Sequence, residues 1–156
     1  MNADPAVMEH FPAPLSREQS GAMVERIEAS IESRGFGLWA VEVKGGAPFI
    51  GFVGLSVPNF EAHFTPTVEV GWRLAAAHWG YGYATEAARA ALDFGFGPLG
   101  LGEIVSFTTA SNRQSRRVME RLGMSRDPHD DFEHPNLPVG HPMRVHVLYR
   151  LRAPER

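Results

Sequence analysis

Apolar residues recur along this chain at two different periods, and the places where the period changes outline its elements. Ser16-Arg17-Glu18-Gln19 reads as a capping box, and Val24, Ile27 and Ile31 then share one helical face. Gly35 is a natural stop, so a helix is predicted over residues 17–33. Residues 36–43 carry Phe36, Trp39, Val41 and Val43, and residues 49–57 are rich in β-formers again. Between them Lys44-Gly45-Gly46-Ala47-Pro48 is a turn cluster, so the two runs predict a hairpin. Residues 67–74 alternate cleanly. Val68, Val70, Trp72 and Leu74 take one face, and Thr67, Glu69, Gly71 and Arg73 the other. Residues 84–94 predict a helix whose small Ala84, Ala87, Ala88 and Ala91 allow close approach to a sheet. A strand follows over residues 104–109. Asn112 then caps a helix over residues 112–122, with Val118, Met119 and Leu122 inward and Gly123 as its stop. Residues 145–151 alternate as a last strand. Residues 127–142, rich in Pro, His and Asp, read as a long loop.

Strands in sequence followed by strand–helix–strand units imply an α/β (α+β) domain, a mixed sheet with helices on its faces. The chain of 156 residues fits a single domain spanning residues 1–156. Cysteine is absent, which removes a disulfide framework, a thiolate zinc site and an acyl-cysteine intermediate together. Lys and Arg number 15 against 18 acidic residues. That balance argues against a nucleic-acid partner. No apolar run is long enough for a membrane span, and the first residues have neither the basic start nor the apolar core of a signal peptide. A cytoplasmic setting is expected.

The most informative stretch runs from Trp72-Arg73-Leu74 to Trp79-Gly80-Tyr81-Gly82-Tyr83-Ala84-Thr85-Glu86. A strand ends, two glycines appear two apart, and a helix begins. Helix N-termini expose unpaired N–H groups and the positive end of a dipole. Glycines let the backbone come close to an anion, and the combination suits phosphate or pyrophosphate. An ordinary tight turn has the same local sequence. The Walker A run is absent. The dinucleotide fingerprint fails because Thr85 stands at its third glycine, and Glu103 opens a strand rather than closing one.

Trp79-Gly80-Tyr81-Gly82-Tyr83-Ala84 resembles the acetyl-CoA signature of the GNAT superfamily of N-acetyltransferases. With Thr85-Glu86-Ala87 it is similar to the RimJ/RimL-like branch, which acetylates ribosomal-protein N-termini. Glu69-Val70-Gly71-Trp72-Arg73-Leu74 resembles the fourth strand of that branch, and Ile50-Gly51-Phe52-Val53-Gly54-Leu55 its third. Asn112, Ser115 and Val118-Met119-Glu120-Arg121-Leu122-Gly123-Met124 resemble its second signature. Trp79 stands where many members have Gln or Arg. The family's opening strand is missing, and residues 2–8 read as the first helical segment.

The resemblance implies a GNAT fold, a mostly antiparallel mixed sheet flanked by helices and lacking its first strand. It implies acetyl-CoA as cosubstrate, no metal, and an amine acceptor, either a protein N-terminus or a small molecule. A backbone N–H near Trp72 or Arg73 would face the thioester carbonyl, with Leu74 closing that strand. Amides from Gly80, Tyr81, Gly82, Tyr83, Ala84 and Thr85 would hold the pyrophosphate beside Trp79. Glu69 is the candidate general base, directly or through a water, and otherwise a surface carboxylate. Ser115 is the candidate proton donor to the departing thiolate, and otherwise a first-turn residue bonding locally. Asn112 could bond the cofactor arm, cap its helix, or do both. Arg113, Arg116 and Arg117 either touch cofactor phosphates or form a solvated face. Trp39 and Trp72 read as core. His129, Asp130, Asp131, His134 and His141 do not match compact ligand spacing for a metal. A catalytically silent acyl-CoA-binding module would show the same turn. A missing first strand would expose a sheet edge to a second copy, giving a homodimer.

Overall fold

The computed structural model describes residues 1–155. Helix α1 (Arg17–Arg34) starts at the expected box: Gln19 N–H donates to Ser16 Oγ at 3.1 Å, and Ser16 N–H donates to Gln19 Oε1 at 2.9 Å. Gly35 ends it at φ 77°, with its N–H on Ile31 O. Val24 departs from the expected inward face and is 50% exposed. Met23, Ile27 and Ile31 turn partly inward instead, Met23 reaching Arg73, and α1 buries no residue fully.

Strands β1 (Leu38–Val41) and β2 (Gly51–Ser56) form the expected hairpin, shorter at both ends than the sequence pattern. Gly54 lets them close: a Cβ there would sit 2.1 Å from Gly37 O. β3 (Glu69–Leu74) pairs antiparallel with β2. α2 (Tyr83–Phe96) crosses to β4 (Glu103–Thr109), which lies parallel to β3. α3 (Arg113–Arg121) is capped by Asn112, whose Oδ1 accepts from Ser115 N–H at 3.2 Å. β5 (Ser125–Arg126), β6 (Phe132–Glu133) and β7 (Val145–Arg152) complete the sheet, in the order β1-β2-β3-β4-β7-β5 with β6 also on β7. All its pairings except β3–β4 are antiparallel.

Two sequence expectations are corrected. Residues 2–8 form turns rather than a helical segment. Asp4 Oδ1 takes the Ala6 N–H at 2.9 Å, and Pro5 sits in a stretch too short to propagate a helix. The segment is still anchored, with Val7 and Met8 buried. The long loop of residues 127–142 carries a 3₁₀ turn (Pro128–Asp130) and β6, because Phe132 finds a buried aromatic cluster under it. Among the described residues no strand precedes α1, so β1 is a sheet edge.

Each sheet face has its own core. Val70, Leu74, Ala88, Ala91, Leu92, Ile104 and Met119 pack under α2 and α3, with Val68 and Trp72 at the margin. Trp39 meets Phe94 edge-on at 5.5 Å in the same core. On the other face Phe64, Val105, Phe132 and Leu148 form a second cluster with Phe60 and Phe107. Each buried Leu, Ile or Phe contributes about 1.5–3 kcal/mol. Two cores hold the strands rigid from both sides, so a break between two strands can persist without collapse.

Candidate functional site

The break lies between β3 and β4. Their register holds one pair, Glu69 with Val105, and no registered pair follows it. At the fork Ser106 Oγ donates to Val70 O at 2.9 Å, closing the last acceptor before the strands part. Peptide groups alternate in direction along a strand. Ala75 N–H donates to Ile50 O, so Glu69, Gly71 and Arg73 turn their peptide groups to β2. Trp72 and Leu74 turn theirs to the opening. Leu74 O is taken by Trp79 Nε1 at 2.9 Å. The Trp72 and Leu74 N–H groups are therefore the β3 donors turned toward the gap, while the Arg73 N–H faces β2. This narrows the sequence expectation of a donor near Trp72 or Arg73.

The diglycine turn closes one end of the gap. Gly80 and Gly82 stand at φ 81° and 82°, in the left-handed region. A Cβ on either would meet nothing within 4 Å. Gly82 is the N-cap of α2 and offers no side-chain cap. Open space beside an uncapped helix start of fourteen residues fits a diphosphate. Trp79, at the position that departs from Gln or Arg, ties this turn to the end of β3 through its indole.

Glu69 and Ser115 reach the gap from opposite sheet faces. Glu69 is partly enclosed beside Ser56, whose Oγ donates to Glu69 Oε2 at 3.4 Å. Burial pushes its carboxyl up from 4.5 to about 8, and the Ser56 bond offsets this only in part. Ser115 Oγ accepts from Trp72 Nε1 at 3.2 Å. An oxygen occupied as acceptor on that side keeps its own O–H to donate elsewhere. Asn112 both caps α3 and donates from Nδ2 to Thr108 Oγ1 at 2.9 Å, which locks its orientation.

One cavity of about 440 Å³ joins these groups. It is lined by Glu69, Trp72, Arg73, Leu74, Trp79, Gly80, Gly82, Tyr83, Ala84, Thr85, Asn112 and Ser115. Of the strand and turn residues expected from sequence, Tyr81 alone is outside its walls. Tyr81 is 69% exposed at the apex of the turn and stacks on Tyr83 at 5.5 Å. Arg117 lines the cavity, whereas Arg113 and Arg116 do not, and Arg116 instead bonds Ala110 O and Tyr149 Oη. Residues 6, 7, 9, 10 and 11 form a wall that sequence reasoning missed. That stretch has no periodicity to reveal it; its one signal was Val7-Met8, two adjacent large apolar residues near a chain start. Among the described residues no group of three His, Asp or Glu side chains could hold a metal ion, and His129 is 96% exposed on its side chain. Among the described residues no helix is long and apolar enough to cross a membrane.

The family model described as an acetyltransferase (GNAT) domain matches residues 1–125. The uncharacterised protein YkkB of Bacillus subtilis is 34% identical over 121 residues, covering 78% of this chain and 69% of that protein. The FsC-acetyl coenzyme A-N(2)-transacetylase of Aspergillus fumigatus is 31% identical over 132 residues, covering 80% of this chain and 55% of that enzyme. A solved acetyltransferase from Agrobacterium tumefaciens superimposes with a TM-score of 0.74 at 29% identity, covering 96% of this chain and 80% of that one. The GNAT fold expected from sequence is thereby shown.

Proposed function

The chain belongs to the GNAT family and is an acetyltransferase of that family, and on this premise we propose that it moves an acetyl group from acetyl-CoA to a primary amine by direct attack in a ternary complex. The observation that carries this reading is the continuity of the cavity of about 440 Å³. It runs from the diglycine turn, past the Trp72 N–H, to the Glu69 carboxyl on the other sheet face.

Bound acetyl-CoA supplies an electrophilic thioester carbonyl with a thiolate leaving group. The residues do the rest. Backbone donors of residues 80–85 hold the diphosphate. The Trp72 N–H donates to the carbonyl oxygen as it gains charge. An amine reacts only as the free base, and an α-amine of pKa about 8 is largely protonated near neutrality. Glu69, with a carboxyl raised to about 8, is matched to take that proton, directly or through one water. Ser115 donates its hydroxyl proton to the departing sulfur while the Trp72 indole holds its oxygen. Asn112, fixed by Thr108, borders the cofactor arm. Nitrogen gains the acyl bond and sheds its second proton, which returns through water to the Ser115 oxygen; sulfur loses the acyl bond and leaves as the thiol, and no side chain is acylated.

The motifs around Trp79 and Asn112 support placement in the RimJ/RimL-like branch, whose acceptors are protein N-termini or small amines. The unpaired outer edge of β1 supports pairing with a second copy. The direct test is release of coenzyme A thiol against a panel of amines and N-terminal peptides. Acceptor-dependent release is expected. Acetyl-CoA that raises the melting temperature yet is never consumed would make the protein a binding module instead.

A further inference from the structure

Arg73 is a cation without an anion. Its side chain lies on the Glu69 face of β3, near two rings, with its guanidinium carbon 4.2 Å from the centre of Phe11 and 5.3 Å from that of Phe52. Nη1 donates to Asn2 Oδ1 at 3.1 Å and reaches Met23 Sδ at 3.7 Å, both neutral. Nε is buried with no hydrogen-bond partner. Among the described residues no carboxylate forms an ion pair with it. Glu69 is four residues away on the strand, about 13 Å by strand spacing, and bonds Ser56. Glu9 shares the cavity wall, but its side chain is 72% exposed and leans toward His10 at 3.8 Å.

Buried charges in folded proteins are paired, because an isolated one forfeits its hydration. Burial here lowers the Arg73 pKa from 12.5 to about 10, which is the mark of that cost. Rings and an amide offset part of it, but none carries negative charge. Arg73 also lines the cavity, on the face away from α2 and the diglycine turn. Gly71 stands between it and Glu69, and a Cβ there would meet only Glu69 Oε1 at 3.8 Å. The strand face thus presents, in order, a carboxylate base, an open floor and an unpaired planar cation.

We propose that Arg73 selects the acceptor, and that the acceptor is a small amine carrying a carboxylate, of the amino-acid class. The amine lies toward Glu69 and the carboxylate takes the part of the cavity that Arg73 lines. A fork of N–H donors binds a carboxylate in two parallel bonds, and Lys cannot reproduce that. A cavity of about 440 Å³ that must also admit the thioester arm leaves room for a small molecule. Arg73 does not touch the reacting atoms in this arrangement; it is a specificity residue. The inference rests on the acetyl-transfer reading and names the substrate class for it.

Binding, rather than turnover, is the test. The wild-type protein is loaded with coenzyme A and titrated by calorimetry with a panel of N-acetyl-L-amino acids and their carboxamides, which keep the shape and lose the charge. At least one acid is expected to bind tenfold or more tightly than its own carboxamide (about 1.4 kcal/mol or more). In Arg73→Gln that ratio is expected to fall toward one, and in Arg73→Lys to lie between. Melting curves of both variants show whether Asn2 and Phe11 keep their places; should both unfold, the wild-type acid-to-carboxamide ratio decides alone. Equal binding of acids and carboxamides across the panel, with coenzyme A bound, overturns the carboxylate assignment and leaves the acetyltransferase reading intact. Failure of every panel member to bind does the same. Failure of coenzyme A itself to bind strikes the acetyltransferase reading, and this inference with it. An unchanged ratio in folded Arg73→Gln removes Arg73.

Discussion

The indole N–H of Trp72 donates to Ser115 Oγ at 3.2 Å, joining the strand that borders the gap to the first turn of the helix across it. One residue thereby serves twice. Its backbone faces the gap, and its side chain sets the direction of the Ser115 hydroxyl. Ser115→Ala should lower kcat about 10–100-fold with a small change in acetyl-CoA affinity. Trp72→Phe keeps the ring and the backbone but frees Ser115 Oγ, and a milder loss is expected. Steady-state kinetics beside calorimetric affinities separates the two. Full activity of Ser115→Ala would remove it from proton transfer.

The enclosed Glu69 carboxyl should be visible in two pH profiles. In activity, kcat/KM rises with pH through a midpoint near 8 and levels off above it, measured with an acceptor whose own amine ionises well below that. Glu69→Gln flattens this limb and lowers the plateau by about 100-fold. In stability the sign is opposite. The folded state holds a proton that the unfolded chain has lost, so stability declines as pH rises from about 4.5 through about 8. Glu69→Gln abolishes that decline and is the more stable protein above it. A wild-type rate independent of pH across this window would count against Glu69 as base.

Gly82→Val should abolish cofactor binding while leaving a folded protein. The left-handed backbone at φ 82° costs a branched side chain about 1–2 kcal/mol. The added methyls project into space that no protein atom occupies. A drop in acetyl-CoA affinity of at least ~10-fold is expected by calorimetry. An unchanged affinity would place the diphosphate elsewhere.

His134 and His146 belong to the aromatic cluster under β6, with ring centres 5.1 Å apart and His146 5.6 Å from Phe132. Burial lowers both pKa values from 6.5, and for His134 the charges of His146 and Arg144 add to it. The folded state therefore resists protonation that the unfolded chain accepts. Stability is present above 6.5 and is lost as pH falls through the depressed values. His146→Phe should narrow the gap between melting temperatures at about pH 7.5 and pH 5 by about 2–4 °C. An unaltered gap would show that His146 does not govern the acid limb.

Gly54→Ala tests the hairpin. Its Cβ would meet Gly37 O at 2.1 Å and Leu38 Cα at 2.9 Å, both backbone atoms. β1 must shift or detach, and a loss of about 2–4 kcal/mol is expected in denaturant unfolding. An unaffected midpoint would mean that β1 contributes little to the folded sheet.

Elements with strong local signals were legible from the chain alone. The Ser16 box, the Gly35 and Gly123 stops and the Asn112 cap depend on neighbours within a few positions, and each appears where its pattern placed it; of the alternating residues 67–74, residues 69–74 form the strand. Short elements were not. β6 exists because Phe132 reaches Phe60, Phe64 and Phe107, which lie far from it in sequence. Val24 satisfied a helical period and still faces solvent, since periodicity marks a stripe but not which neighbour covers it.

The sequence by itself determined the family, the order of the longer elements and the diglycine turn, because motif spacing and backbone preference are local properties. Tertiary structure decided the rest. Where β3 parts from β4, which of two adjacent N–H groups faces the opening, and that residues 6, 7 and 9–11 wall the cavity all follow from strand register and packing between distant segments. The environments of Glu69 and Arg73 belong there too. A side chain's identity names its charge, but only the groups folded around it set how costly that charge is and what it lacks.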